Sequence, residues 1–294
     1  MTMMNYLFEK KLYKDRRWFS LKFETTLKKY LSALQPKYRK MVYYPLFPSG
    51  KYIRPILMFS SAEMLDLKRE DILYPAFCIE LIHNYSLIHD DLPCMDNDDY
   101  RRGRLTLHKK FSESSAVLVG DGLLTLSFEI LSDWDKSSSI LVKVLKLVSN
   151  YIGFSGLIKG QFMDLDGKNI LKKHNKKNLF RYLEELSVNK TAKLIEVAIT
   201  IPGIVSSLDK KKLEILKKVG RKIGLLFQIT DDLIDFISGQ DKENLSYPLL
   251  LGVDKTNYFI EKFKKDIISL INKEFPSNNG YLKFLVEKIS TRKE

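Results

Sequence analysis

Apolar residues recur at helical spacing along almost the whole chain. In the stretch 208–238 they follow one another at steps built from three and four residues, with some slippage: Leu213, Leu216, Ile223, Leu226, Ile229 and Leu233. This spacing places them on one face of a helix. Further segments show the same pattern: 71–91, 114–132, 139–161, 178–200, 254–274 and 280–290. No sustained apolar–polar alternation bounded by hairpin turns is present, so we predict an all-α protein with little or no sheet.

Glycine and proline interrupt the helical pattern at short breaks. The breaks fall at 45–50, 93–103, 167–178, 202–208 and 239–244. None of them resembles an interdomain linker, and no repeat with a period of about 20–50 residues is present. Several segments are apolar over more than one stripe and should be central. We therefore predict a single domain over residues 1–294, a bundle of about ten or more helices.

The composition is that of a globular protein, with 45% hydrophobic and 29% charged residues, which excludes wholesale disorder. The net charge of +13 could indicate a nucleic-acid or anionic-membrane partner. The lysines are nevertheless scattered from Lys10 to Lys293, without an arginine-rich stripe and interleaved aromatic residues. We interpret the charge as solvated lysine and expect no nucleic-acid partner, although anionic small substrates could use local parts of it.

The sequence also bears on the cellular compartment. Two cysteines, Cys78 and Cys94, are too few for the disulfide framework of a small secreted protein. The N-terminal residues contain no apolar run of about 7–15 residues of the secretory type. No uninterrupted apolar stretch approaches the roughly 18 residues that cross a bilayer. We expect a cytoplasmic protein without a membrane span.

Two aspartate clusters carry the candidate chemistry. The first, Asp90-Asp91-Leu-Pro-Cys-Met-Asp96, ends a strongly apolar predicted helix, and the second, Asp231-Asp232-Leu-Ile-Asp235, lies inside another. Asp231 and Asp235 share a helix face, which Gln228 joins, and like charges at this spacing destabilise an isolated helix by about 0.2–0.5 kcal/mol. One such cluster could be a solvated acidic face. Two of them, each beside apolar residues, favour neutralisation by a bound cation.

The ligand types indicate which cation. Carboxylates without cysteine or paired histidine ligands favour Mg²⁺, Mn²⁺ or Ca²⁺ over zinc, and the spacing of an EF-hand loop is absent. Mg²⁺ usually binds through one or two carboxylates together with substrate phosphates. Basic residues that could hold such phosphates lie near the clusters and in turns before helices: Lys51, Arg54, Arg101, Arg102 and Lys190. We therefore predict a phosphorylated ligand bridged by metal between two carboxylate walls.

The two clusters lie in longer motifs that resemble one family. LIHNYSLIHDDLPCMDNDDYRRGRLTLHKKF (81–111) and GLLFQITDDLIDF (224–236) are similar to the two aspartate-rich regions of the trans-isoprenyl diphosphate synthases, or polyprenyl synthetases. Between and around these regions lie further motifs in the order of the family: SGKYIRP, GDGLLTLSFEIL, GQFMDL, KTAKLIEVA and SYPLLLG. The likeness spans roughly residues 45–275 and is greatest to bacterial short-chain farnesyl diphosphate synthases.

The resemblance implies a fold, a reaction and partners. The fold is the isoprenoid synthase bundle around a deep central cavity. The reaction condenses isopentenyl diphosphate with dimethylallyl and then geranyl diphosphate, giving (2E,6E)-farnesyl diphosphate and diphosphate. The implied cofactor is Mg²⁺, with Mn²⁺ as an alternative, and the implied assembly is a homodimer.

The resemblance also assigns residues by position. The implied metal ligands are Asp90, Asp91, Asp96, Asp231, Asp232 and Asp235, and all but the last are also expected to be catalytic, together with Lys190. The implied allylic diphosphate set is Arg101, Lys190, Thr191 and Gln228. The implied isopentenyl diphosphate set is Lys51, Arg54, His83 and Arg102. By itself, a histidine on an apolar helix is more often a core residue. His83, however, lies seven residues before Asp90, two helical turns away, which aligns it with the site.

The predicted helix that ends at the first aspartate cluster also bears on the length of the product. Tyr85 lies five residues before Asp90, or about 7.5 Å along the helix, where it would act as a floor for a chain growing from the metal. Ser86 is small and would not block. An aromatic residue at this place, with the longer Asp-Asp-x4-Asp loop, resembles farnesyl (C15) synthases. A geranylgeranyl (C20) or a geranyl (C10) synthase remains an alternative to the farnesyl assignment. For Tyr85 itself, the alternative is that its ring is an ordinary part of the core.

The sequence departs from the family in one segment and leaves rival functions open. Only ten residues, FISGQDKENL, separate Asp235 from Ser246, fewer than is usual in the family. Asn244 stands where relatives carry lysine. Because this segment helps to close the site in relatives, its shortening could impair closure of the site and lower the catalytic rate. Ser49 and Leu105 replace a common glycine and proline. A class I terpene cyclase would normally lack the second aspartate cluster. A non-catalytic partner subunit should have lost aspartates, and here all six are present.

Overall fold

The computed structural model describes residues 3–171, 175–239 and 245–292. These residues are overwhelmingly helical, so the predicted all-α class is confirmed. The chain divides into two compact units, the first formed by Met1–Ile56 with Leu73–Lys136, the second by Leu57–Ile72 with Ser137–Glu294. The single domain over residues 1–294 stays a prediction.

The first unit contains the N-terminal helices and a small hairpin. Its helices are α1 (Met3–Tyr30), α2 (Pro36–Leu46), the start of α3 (Ile53–Met64), α4 (Leu73–Asp90), α5 (Leu107–Lys110) and α6 (Glu113–Ser132). Strands β1 (Tyr100–Arg101) and β2 (Arg104–Leu105) pair antiparallel. Arg102 and Gly103, which connect them, have φ of 53° and 72°. Positive φ at both central residues is typical of the tight turn that matches the twist of a hairpin.

The core of the first unit is built around α4. An aromatic cluster packs on it from α1, with the rings of Phe19 and Phe23 each 5.5 Å from that of Phe77. Helix α6 packs along α4 on another side. A Cβ at Gly120 of α6 would lie 2.1 Å from Nε2 of His89, so a larger residue at this position would require the His89 ring to move. Burial of α4 on several sides explains why the sequence of this helix is apolar nearly all round.

The second unit contains the remaining helices. They are the end of α3, α7 (Ser138–Ile152), α8 (Leu157–Leu171), α9 (Lys176–Ser187), α10 (Lys193–Val205), α11 (Lys210–Ser238), α12 (Tyr247–Leu251), α13 (Val253–Glu274) and α14 (Gly280–Ser290). A 3₁₀ turn covers Arg69–Ile72, and a π-helical segment, Val188–Ala192, joins α9 to α10. Helices α10 and α11 pack closely, and α13 covers another side of α11.

Three predicted boundaries were wrong. The segment 139–161 is two helices, because the chain turns at Gly153–Gly156. Pro202 does not end its helix, since α10 continues to Val205. Nearly every residue of α10 is buried, so packing outweighs the roughly 3 kcal/mol that an interior proline costs. Gly167 lies inside α8, which ends at Leu171. The break predicted at 239–244 lies, after Gly239, outside the described residues.

Two stretches of the described chain, the second of which includes the turn at Gly153–Gly156, meet the length and composition of a membrane span. They are Glu113–Ser132 and Ser138–Gly167, with 44% and 28% of their apolar windows buried. The sequence-based expectation rested on uninterrupted apolar runs and did not identify them. Core helices of globular proteins meet the same criterion, so these stretches are weak evidence for a span.

Candidate active site

The first aspartate cluster forms a tight turn at the C-terminus of α4. Asp90 and Asp91 are buried, with 8% and 4% of their surface exposed, whereas Asp96 is exposed. The amide of Asp96 donates to the carbonyl of Asp90 at 2.9 Å, which folds the loop back onto the helix end. Burial raises the pKa of Asp91 to about 6, although the Arg101 guanidinium acts in the opposite direction. A buried carboxyl with this pKa would gain from a further cation.

Arg101 joins Asp91 of this cluster to Asp98, which lies just after it. Its Nε donates to Oδ1 of Asp91 at 2.5 Å, and its Nη2 donates to Oδ2 of Asp98 at 3.1 Å. The residue lies on β1, so the hairpin presents it to the aspartate turn. Sequence reasoning assigned Arg101 to the allylic diphosphate and did not identify Asp98 as its partner.

Members of the predicted isopentenyl diphosphate set lie close together in the first unit. The pKa of His83 is well below its usual value, first because the half-buried ring loses solvation and then because Arg54, Arg102 and Arg101 lie near it. His83 is therefore neutral at pH 7. The guanidinium of Arg102 lies against Gly50, where a Cβ would be 2.6 Å from Nη2. Lys51 follows Gly50 in the sequence and is exposed.

A small cavity lies beside these groups. It measures about 50 Å³ and is lined by Asp91, Arg101, Arg102, Arg104 and Asn84, among others. Acidic and basic side chains of the two predicted sets thus share one polar recess in this unit.

Tyr85 and Ser86 lie one helical turn before the aspartates. Tyr85 is buried, with 5% exposed, and its ring packs edge-on against that of His89 at 5.8 Å. Burial, followed by the charge of Asp90, raises the pKa of Tyr85 to about 12. Ser86 donates its hydroxyl to the carbonyl of His83 at 2.9 Å.

The second aspartate cluster lies on α11 and is supported by hydrogen bonds. Oδ1 of Asp232 accepts from Nε2 of Gln228 at 2.7 Å, and Oδ2 accepts from the backbone N of Tyr247 at 3.0 Å. Thr191 in turn donates to Oε1 of Gln228 at 2.5 Å. Burial raises the pKa of Asp232 to about 7, and Asp231 and Asp235 raise it further, against these hydrogen bonds. Gln228 therefore contacts Asp232, four residues further along α11, and the predicted place of Gln228 on the face of Asp231 and Asp235 stays a prediction.

Lys190 and Asp231 each have an ionic partner that sequence reasoning missed. Lys190, in the π-helical segment, pairs with Asp164 of α8. The close approach of α8 depends on Gly160, where a Cβ would lie 2.3 Å from the backbone N of Lys190. Arg292 pairs with Asp231, with Nη2 and Oδ1 2.6 Å apart. Asp164 lies within the GQFMDL motif, which was a weak indication that this residue belongs to the site. No motif in the sequence surrounds Arg292.

The donor set fits a divalent cation that arrives with phosphate. Among the residues that the structure describes, no three His, Cys, Asp or Glu side chains form a metal site by themselves. Mg²⁺ characteristically takes one or two carboxylates and completes its shell with water and substrate phosphates. In the first unit Asp91, and in the second unit Asp232, each supply carboxylate oxygens whose ionised form is disfavoured mainly by loss of solvation, so each would gain from a nearby cation. The aspartates therefore fit Mg²⁺.

Comparison with known proteins gives consistent matches. The sequence profile of the polyprenyl synthetase family matches residues 35–247. A farnesyl diphosphate synthase of Micrococcus luteus is 36% identical over 252 residues, which is 86% of this chain and 84% of that protein. Geranylgeranyl pyrophosphate synthase 4 of Arabidopsis thaliana is 39% identical over 238 residues, 77% of this chain but 63% of the relative.

A solved structure matches the fold. It is a geranyltransferase from Helicobacter pylori complexed with magnesium and isoprenyl diphosphate. The two proteins are 30% identical and superpose with a TM-score of 0.75, covering 92% of this chain and 96% of the other.

Proposed function

Because this chain belongs to the polyprenyl synthetase family of prenyltransferases, we propose that it makes (2E,6E)-farnesyl diphosphate. It would condense isopentenyl diphosphate with dimethylallyl and then geranyl diphosphate, releasing diphosphate at each step. The observation that carries the proposal is the pair of aspartate clusters, each with a carboxyl of raised pKa that accepts a hydrogen bond from an arginine or an amide. Relatives named for C15 and for C20 products both match, so product length rests on Tyr85.

The six aspartates would hold Mg²⁺ on the allylic diphosphate. They are Asp90, Asp91, Asp96, Asp231, Asp232 and Asp235. Bound Mg²⁺ would supply neutralisation of the charge on the departing diphosphate. The chain's own contribution is to present the carboxylates in fixed orientations. Arg101 orients Asp91, and Gln228 orients Asp232.

The basic residues would act on the two diphosphates. Lys190, Arg101, Thr191 and Gln228 are the proposed allylic set, in which Asp164 holds the ammonium group of Lys190. Preorganised donors of this kind stabilise negative charge as it develops on the leaving group. The isopentenyl diphosphate set is Lys51, Arg54, His83 and Arg102. A neutral His83 adds a hydrogen-bonding ring without adding charge beside two arginines.

The apolar helix α4 would protect the reactive cation. Loss of diphosphate from the allylic substrate leaves a carbocation that water would trap as an alcohol, and apolar side chains exclude that water. The double bond of isopentenyl diphosphate would then attack, and the released diphosphate would accept the proton. This chemistry requires no Ser-His-Asp or Cys-His set.

Tyr85→Ala should change the product from C15 toward C20. Removing the ring removes the proposed floor, five residues along α4 from Asp90. Products made from geranyl and isopentenyl diphosphates would be dephosphorylated and sized by chromatography. Tyr85→Phe retains the ring and should still give C15. A Tyr85→Ala enzyme that still gave only C15 would show that the floor is elsewhere.

We also propose a homodimer formed through α6. Leu118 and Val117 are 70% and 41% exposed on this helix. They lie beside a groove of about 570 Å³ that includes Tyr38 and Met41 of α2. An exposed apolar surface of this kind is typical of a protein–protein interface.

Leu118→Asp should convert the dimer to a monomer, because a charge in an apolar interface is costly to bury. Light scattering after size exclusion would measure the mass. Leu21→Asp, at a residue of α1 that is 57% exposed and does not line the groove, is the matched control and should remain dimeric. A dimeric Leu118→Asp protein would exclude this interface.

A further inference from the structure

Arg104, on strand β2 of the hairpin, extends to the C-terminal end of α2. Its Nη1 donates to the carbonyl oxygen of Phe47 at 2.6 Å and to that of Tyr44 at 3.4 Å. The usual donor to the carbonyl of Tyr44 would be the amide four residues later, but that residue is Pro48, which has no N–H. Arg104 therefore supplies a charged donor where the end of the helix lacks an amide donor.

Tyr44 makes the return contact from α2 to the hairpin. Its hydroxyl donates to the carbonyl oxygen of Leu105, the neighbour of Arg104 on β2, at 2.8 Å. The guanidinium carbon of Arg104 lies 4.1 Å from the centre of the Tyr44 ring, which is the geometry of a cation–π contact. The same ring packs edge-on against that of Phe111 at 5.5 Å. Helix α2 and strand β2 are thus joined by hydrogen bonds that run in both directions.

The turn of the same hairpin carries Arg102. Strand β2 follows this two-residue turn, both residues of which have positive φ, so the place of Arg102 follows that of β2. The guanidinium of Arg102 lies against Gly50, where a Cβ would be 2.6 Å from Nη2 and 2.8 Å from Cζ. Gly50 lies three residues after Phe47 and directly before Lys51, in the segment that joins α2 to α3. The hairpin therefore contacts this segment at two places, one through β2 and one through its turn.

Taking the proposed function as given, we infer that Arg104 and Tyr44 are positioning residues for isopentenyl diphosphate. They fasten the hairpin to the end of α2, so that Arg102 of the turn and Lys51 of the facing segment keep one separation before the ligand arrives. Both Arg102 and Lys51 belong to the proposed isopentenyl diphosphate set. A ligand that binds donors already in place does not lose binding free energy in ordering them. Loss of the fastening should therefore weaken the binding of isopentenyl diphosphate.

Arg104→Met and Tyr44→Leu test this role, because the first removes the donors and the charge, whereas the second removes the ring and the hydroxyl without changing the charge. In each variant we expect the KM for isopentenyl diphosphate to rise about tenfold, and its Kd in calorimetric titration without allylic substrate to rise equally. The KM for geranyl diphosphate should change less than about twofold. Arg101, of the proposed allylic set, is less affected because Asp91 and Asp98 also hold it.

Two further measurements distinguish positioning from a direct contact with the ligand. Backbone amides of the hairpin should exchange their hydrogens faster in both variants before any ligand is added, since the hairpin is then less restrained. The double variant should bind no more weakly than the weaker single variant, because the two substitutions break one shared contact. Tyr44→Phe, which removes only the hydroxyl and keeps the ring, should raise the KM for isopentenyl diphosphate about two- to threefold.

Arg39→Met is the matched control, at the opposite end of α2. Nη2 of Arg39 donates to the carbonyls of Ser32 and Leu34, each at 2.8 Å, so this variant loses the same charge and the same kind of contact. Both KM values and the exchange of the hairpin amides should remain unchanged. A wild-type enzyme that gave no prenyl product would contradict the proposed function itself. An active wild type in which Tyr44→Leu left isopentenyl diphosphate binding unchanged, or raised both KM values equally, would overturn the positioning role alone.

Discussion

Asp91→Asn and Asp232→Asn should each lower kcat for prenyl transfer by about 10²–10³-fold or more, the range for loss of a preorganised electrostatic contact. Asparagine keeps the shape of the side chain and can still accept from Arg101 or Gln228. It removes the negative charge that would bind Mg²⁺. Both carboxyls are disfavoured as ions in the folded protein, because burial raises their pKa values to about 6 and about 7. The loss of activity should therefore occur without a loss of folding stability.

The measurement is kcat at saturating isopentenyl and geranyl diphosphates over a series of Mg²⁺ concentrations. Unfolding temperatures without metal at pH 8 should equal or exceed that of the wild type. A raised pKa means that stability is lost as the pH rises through 6–7, and asparagine avoids this loss. Asp98→Asn is the control, since Asp98 also pairs with Arg101 but lies outside the proposed metal set. Retention of more than about a tenth of wild-type kcat by either variant would remove that aspartate from the metal site.

Lys190→Ala should reduce kcat/KM for geranyl diphosphate by about 10²-fold, with a small effect on the KM for isopentenyl diphosphate. The ammonium group of Lys190 is held by Asp164, and its side chain is 28% exposed, so its charge is only partly screened by water. Asp164→Asn leaves the lysine in place but removes this ion pair, and should produce a smaller loss of the same kind.

Lys193→Ala is the matched control, three residues further along the chain. The Lys193 ammonium donates to the carbonyl of Ser155, and Lys193 is outside the proposed site. Its removal should leave both KM values unchanged. If Lys190→Ala and Lys193→Ala had the same kinetics, Lys190 would have no special role at the allylic diphosphate.

Local signals in the sequence sufficed for much of the fold. Helix α11 was predicted over 208–238 and spans Lys210–Ser238. Its ends carry their own signals, because Asp209 caps the N-terminus by accepting from the backbone N of Lys212 at 2.9 Å, and Gly239 ends it with φ of 79°. The helix end predicted at Pro202 was wrong because the energetic cost of an interior proline is a local property of the sequence. The packing that outweighs this cost comes from residues distant in the sequence. The π-helical segment at Lys190 likewise has no sequence period of its own.

The site shows the same division between local and distant information. The aspartates show a recognisable spacing within one helix or turn. Asp164 and Arg292 do not, because their partners, Lys190 and Asp231, lie 26 and 61 residues away in the sequence. The shortened segment after Asp235 includes residues 240–244, which lie outside the described part of the chain.

The most direct measurement is the size of the product that the wild-type enzyme makes. The purified full-length chain would be incubated with Mg²⁺, isopentenyl diphosphate and either dimethylallyl or geranyl diphosphate, with a chelator-treated sample as the control. We predict a C15 alcohol after dephosphorylation from both primers and no product with the chelator. A C20 or C10 product would contradict the farnesyl assignment and the role of Tyr85 as a floor. No product from either primer, with folded protein that still binds diphosphate, would contradict the synthase function and favour a non-catalytic partner subunit.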